Sequence, residues 1–161
     1  MTRQQINWFV PAVVESVDRE RSRVLDRLKE WDVQVDLKTS GTISLLVAEV
    51  VRDAIRYSRT AQISLGLKVT GRELLFEAVS HDLSEPCPGE QRDGRDRTLL
   101  ELLATDWGDF QTTDSAMGVW FLLAMPEPLT GHRRRTLLTR VRQARPRQVV
   151  HRFSGRSDSA A

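Results

Sequence analysis

The chain has 161 residues, of which 40% are hydrophobic and 29% charged, values typical of a soluble globular protein. Its longest apolar run, Val119 to Met125, is far shorter than the roughly 20 residues that a membrane span requires, and its single cysteine, Cys87, excludes an internal disulfide and a cysteine-rich zinc site. The N-terminus carries no signal-peptide pattern, so we expect a cytoplasmic protein with no membrane partner.

The charge is unevenly distributed along the chain. Residues 132–161 contain nine Arg and one Asp, a formal charge of +8, whereas the preceding 131 residues carry 15 basic and 21 acidic residues, a formal charge of −6. This asymmetry predicts one domain over residues 1–128 and a basic, Arg-rich, partly disordered tail over residues 129–161.

The tail contains a short amphipathic helical pattern, in which Leu137, Leu138 and Val141 are accompanied by Arg140 and Arg142. Three roles stay open for it. It could bind phosphate backbones non-specifically, dock on an acidic partner such as the acidic domain of a dimer mate, or remain a solvated extension. Because no aromatic residues are interleaved for base stacking, we favour a solvated or partner-dependent tail over a nucleic-acid reader.

The first predicted elements are a strand and two helices. Residues 7–11 form a strand that ends at a proline, and apolar residues recur at helical spacing over residues 12–31. Residues 32–41 are a polar connection, and Ser40 or Thr42 could cap the second helix, which carries a wide apolar stripe.

A β-hairpin is predicted next along the chain. Strict alternation of apolar residues indicates strands over residues 63–69 and 74–78, joined by a turn that contains Gly71. Residues 83–96 contain Pro, Gly and charged residues without periodicity, which predicts a long loop.

The last predicted elements are a helix and a strand. The helix covers residues 98–106 with Gly108 as its C-terminal cap, and a buried strand covers residues 118–125. The resulting order, β-α-α-β-β-loop-α-β, predicts an α+β fold: a two-layer sandwich with helices on one face of a mixed, mostly antiparallel sheet.

Two carboxylates lie one helical turn apart on the second predicted helix. Residues 49–54 read Glu-Val-Val-Arg-Asp-Ala, which places Glu49 and Asp53 on one face of that helix. The segment resembles the N box, Glu-x-x-x-Asn-Ala, of the GHKL (Bergerat-fold) ATP-binding family, in its bacterial branch of anti-sigma-factor serine kinases. The resemblance extends over residues 8–125 and implies that family's fold. It also implies that Glu49 is the general base and that Asp53, which replaces the family's Asn, is the Mg²⁺ ligand beside ATP.

The G1 motif of that family is a strand that ends in an adenine-binding Asp. Residues 74–82 occupy its place here. The strand register puts Ser80 at the Asp position, and a bulge could instead bring Asp82 there. Loss of the Asp is the interpretation that we favour.

The G2 box and the last strand resemble the family with substitutions. Gly94 and Arg95 match the start of the G2 phosphate-binding motif, Asp96 replaces its second glycine, and Gly118 stands where the family has Thr. A carboxylate at residue 96 would repel phosphate. The resemblance therefore implies that ATP and Mg²⁺ binding is weak or absent.

Two hypotheses follow from the resemblance. The chain is either a regulatory protein that has lost the nucleotide chemistry and acts by protein–protein contact, or an active Mg-ATP-dependent serine protein kinase. Its partner would be a sigma factor, an anti-sigma antagonist or a transcription regulator, and a homodimer is expected from the family. The four altered positions favour the regulatory protein. Nucleic-acid binding through the tail is a third reading.

Overall fold

A computed structural model describes residues 3–81, 97–112 and 116–127 of the chain. The predicted loop over residues 83–96 and the predicted tail over residues 129–161 lie outside the described residues. The described elements, in chain order, are β1 (Arg3–Pro11), α1 (Glu15–Glu30), α2 (Leu37–Tyr57), β2 (Gln62–Thr70), β3 (Glu73–Ser80), α3 (Thr98–Leu103), β4 (Asp106–Gln111) and β5 (Met117–Ala124).

The five strands form one open sheet with the order β1-β2-β3-β5-β4. Every described pair is antiparallel. The predicted α+β class with an antiparallel sheet is thus confirmed, although the expected mixed character is not seen among these pairs. The turn between β2 and β3 has Gly71 at its first central position with φ 61°, the conformation that a type II′ hairpin turn requires.

The hydrophobic core lies between the sheet and the three described helices. Alternate residues of the strands contribute one side, with Phe76 and Phe121 fully buried and their ring centroids 5.7 Å apart. The helices contribute the other side through residues such as Leu28 and Leu46, so all three pack on the same face. No helix in the described part of the chain is long and apolar enough to cross a membrane.

Aspartates lie at the C-terminal end of α1 and at the N-terminal end of α2. Asp32, at φ 55°, follows α1 in the left-handed conformation, which Asp adopts more readily than most residues. Helix α2 begins four to six residues earlier than the expected caps, because the carboxylate of Asp36 accepts a hydrogen bond from the Thr39 amide at 2.6 Å. The prediction of Ser40 or Thr42 as the cap was therefore wrong.

Strand β4 was not predicted. Helix α3 ends at Leu103, and Gly108 lies inside β4, opposite Trp120 of β5, rather than capping a helix. The segment Asp106–Gln111 has little apolar periodicity of its own, and its backbone is held in the extended state by pairing with β5.

Candidate functional site

The predicted N-box carboxylates lie on α2, the helix that packs against the centre of the sheet. The side chain of Glu49 is 21% exposed, and its Oε1 lies 2.5 Å from Nη1 of Arg52. Asp53, one turn further on, is half-buried. Glu49 thus forms an ion pair within α2 with a mostly exposed guanidinium one turn further on.

Ser80 ends β3 on the helix-facing side of the sheet. It is 3% exposed, and its hydroxyl donates a hydrogen bond to the Met117 carbonyl oxygen of β5 at 3.1 Å. β3 runs antiparallel to β2, which follows α2 directly, so Ser80 lies at the same end of the layer as the C-terminal half of α2. Ser80 therefore lies at the same end of the molecule as Asp53. Its side chain is short and buried, and its hydroxyl is already hydrogen-bonded to the neighbouring strand.

Gly118 is separated from these residues by the sheet. Its neighbour Val119 points into the core, whereas Gly118 faces the opposite side, where the Phe110 ring covers it. The remaining predicted site residues, Asp82, Gly94, Arg95 and Asp96, lie outside the described residues. Among the described positions, the structure thus brings together those on α2 and β3 but not Gly118.

Sequence reasoning missed a charged pair at the start of α3. The guanidinium of Arg97 forms an ion pair with Asp109 of β4, and it lies 5.3 Å from the centre of the Trp107 ring. The Arg97 side chain is only 16% exposed. Since α3 contacts α2, the pair belongs to the same layer as the predicted site. Recognising strand β4 in the sequence would have indicated part of this arrangement, because alternation along a strand places Trp107 and Asp109 on the same side of the sheet.

The described residues supply only part of the predicted magnesium-nucleotide site. Asp53 offers a hard oxygen ligand of the type that Mg²⁺ prefers, but no cluster of three or more metal-ligating side chains occurs among the described residues. The resemblance implies an adenine-binding Asp at the end of β3, and the buried Ser80 is the residue there. No protein-family model matches the chain, and no curated protein matches it either.

Proposed function

We propose that the chain is a regulatory protein with a GHKL-type (Bergerat) fold whose nucleotide site has lost its chemistry. It acts by protein–protein contact in transcriptional or developmental control. The partner is a sigma factor, an anti-sigma antagonist or a transcription regulator, and the chain acts in the cytoplasm.

The position of Ser80 carries this proposal. The resemblance requires a carboxylate at the end of β3, whereas Ser80 is buried and donates its hydroxyl hydrogen to Met117. A buried polar group that is already satisfied gains little from a new ligand, and opening the site would cost its hydrogen bond. The pairing of Glu49 with Arg52 supports the same conclusion, since a general base needs a carboxylate within reach of its substrate.

The kinase is the second candidate, and the placement of α2 favours it. Glu49 and Asp53 lie one turn apart on a half-buried edge of that helix, the arrangement that the resemblance implies for base and metal ligand. In this alternative Asp53 would hold Mg²⁺ and the ion pair with Arg52 would open when ATP binds.

Calorimetric titration with ATP, with and without Mg²⁺, separates the two candidates. We expect no binding heat up to millimolar ATP for the unmodified chain. Asp53→Ala is the test variant, and Asp26→Ala, which removes an exposed carboxylate on α1, is the matched control. Micromolar, Mg²⁺-dependent binding that is lost in Asp53→Ala and kept in Asp26→Ala would overturn the proposal in favour of the kinase.

Partner binding is tested separately with purified sigma factors and anti-sigma antagonists of the same genome. We expect one of them to bind the unmodified chain and Asp53→Ala equally well, with and without ATP. Failure of all of them to bind would overturn the regulatory role even where ATP binding is absent.

A further inference from the structure

The face of the sheet opposite the helices carries a group of apolar side chains. Side chains alternate along each strand, so the residues between the core positions point to this side, where none of the described helices packs. The registers bring those of β3, β5 and β4 together, whereas Ser64 of β2 lies between Phe9 and Val79. We call this surface the open face; its apolar residues are Phe9, Leu75, Val79, Phe110, Trp120 and Leu122.

Two glycines on the open face leave room for aromatic rings of the neighbouring strand. A Cβ atom at Gly108 would lie 3.1 Å from the Trp120 indole, and one at Gly118 would collide with the Phe110 ring. Each ring therefore lies against the glycine of the neighbouring strand. The result is an apolar shelf over β3, β5 and β4, in which Leu122 is buried and the other apolar side chains are half-buried.

An acidic side chain stands within this apolar surface. Glu77 lies across Gly66, where a Cβ atom would be 2.9 Å from its Oε1. Burial raises the pKa of Glu77, and the charge of Lys68 on the neighbouring strand offsets this only in part, without an ion pair between the two side chains. A half-buried carboxylate in this position is stabilised by a cation that approaches from the solvent side.

The chain leaves the sheet at the end where β5 adjoins the turn between β2 and β3. Ala124, the last residue of β5, pairs with Glu73 and points to the open face. Beyond it, the Met125 amide donates to the Arg72 carbonyl oxygen at 2.8 Å, and the Arg72 guanidinium donates to the carbonyl oxygen of Pro126. Met125 is buried in the core, and Arg72 also donates to the Gln34 carbonyl oxygen at 3.1 Å, so the 34 residues after Glu127 follow from this end of the sheet, beside the connection between α1 and α2.

The segment over residues 132–145 matches the open face in size and chemistry. A helix of this length would be about 21 Å long and about 10 Å wide. The shelf over β3, β5 and β4 is about 10 Å across and about 26 Å long. The segment supplies apolar Leu137, Leu138 and Val141 with arginines between them, and residues 132–161 carry a formal +8 against −6 for the rest of the chain.

We propose that residues 132–145 dock on the open face of their own chain, with leucines and valine on the aromatic shelf and an arginine paired with Glu77. The proposal is independent of the nucleotide site, which lies on the other side of the sheet.

Paramagnetic relaxation in the full chain tests the docking. Cys87→Ser removes the only native thiol, and Thr139→Cys then accepts a nitroxide label within the segment. The four Trp indole N–H signals are the reporters. Trp120 lies on the open face, whereas Trp8 and Trp31 pack toward the helices. We expect the Trp120 signal to lose most of its intensity while the signals of Trp8 and Trp31 are kept.

Two controls make this result specific. A label at Ser22→Cys, on the exposed side of α1, should broaden Trp8 and Trp31 and spare Trp120. Glu77→Lys in the Thr139→Cys background should restore the Trp120 signal, whereas Glu101→Lys, on the exposed side of α3, should not. If Glu77→Lys does not fold, the pattern in the chain that keeps Glu77 decides alone.

Three outcomes would overturn the proposal. The first is an unchanged Trp120 signal, including the case in which duplex DNA binds the tail with a steep salt dependence. The second is equal broadening of all four indoles. The third is broadening of Trp120 only in a mixture of isotope-labelled chain with spin-labelled chain, because the segment would then belong to a second copy.

Discussion

Substitution of Gly118 by Ala tests the packing on which the open face depends. The added Cβ atom would fall within contact distance of three atoms of the Phe110 ring, so the ring must leave its place over β5. Overpacking of this kind costs about 1–3 kcal/mol, whereas replacing Gly by Ala gains about 0.4–1 kcal/mol through the entropy of the unfolded chain. We expect Gly118→Ala to lower the free energy of unfolding by about 1–2 kcal/mol.

Urea unfolding followed by circular dichroism measures this change, with Gly41→Ala as the matched control. Gly41 lies in α2, and no atom lies within 4 Å of the position that an added Cβ would occupy, so the same substitution there should stabilise the protein by about 0.5–1 kcal/mol. In a Phe110→Ala background, Gly118→Ala should lose its cost. If Gly118→Ala is as stable as the unmodified chain, Phe110 does not lie on Gly118 and the reasoning fails.

Three further perturbations test the core and the caps. Phe76→Ala should lower the free energy of unfolding by about 3–5 kcal/mol, measured by urea unfolding, because a fully buried ring leaves a cavity. Trp8→Phe removes the indole donor to the buried Glu20 carboxylate and should cost about 1–3 kcal/mol in the same assay, a loss that Glu20→Gln should reduce. Hydrogen bonds from the Thr39 side chain and backbone hold the pKa of Asp36 below its usual range, so its stabilisation is full above the unfolded pKa of about 3.9 and is lost as pH falls through the folded pKa. Asp36→Ala should therefore lower the melting temperature at pH 7 and flatten its acid dependence, whereas Asp36→Asn should flatten it with a smaller loss at pH 7.

The sequence predicted those elements whose signal is local. The alternation over residues 63–69 and the stripe on α2 arise from the periods of strand and helix, and both lie where they were expected. Strand β4 was not predicted because glycine, the residue at position 108, often caps a helix. That Gly108 lies in a strand instead depends on its pairing with Trp120 of β5, which comes later in the chain. β1 extends back to Arg3 through polar residues for the same reason, since pairing with β2 holds its backbone.

The candidate site was predictable only where it lies on one element. Glu49 and Asp53 share a helical face, so spacing alone placed them together. The pair of Arg97 with Asp109 joins α3 to the unpredicted β4, and no sequence spacing indicates it. Gly118 was assigned to the site from its position in the chain. The side of the sheet that it faces depends on the register of β5, which only the structure supplies.

The register of β5 separates the two proposals and makes them independently testable. Val119 and its alternate neighbours face the helix layer that holds Asp53, while Gly118 and Trp120 face the open side with Glu77. Asp53→Ala should therefore change ATP binding, where any exists, and leave the broadening of Trp120 intact. Glu77→Lys should do the reverse. A variant on one side that changed both measurements would show that the two surfaces are coupled through the sheet. The two proposals would then not be independent of each other.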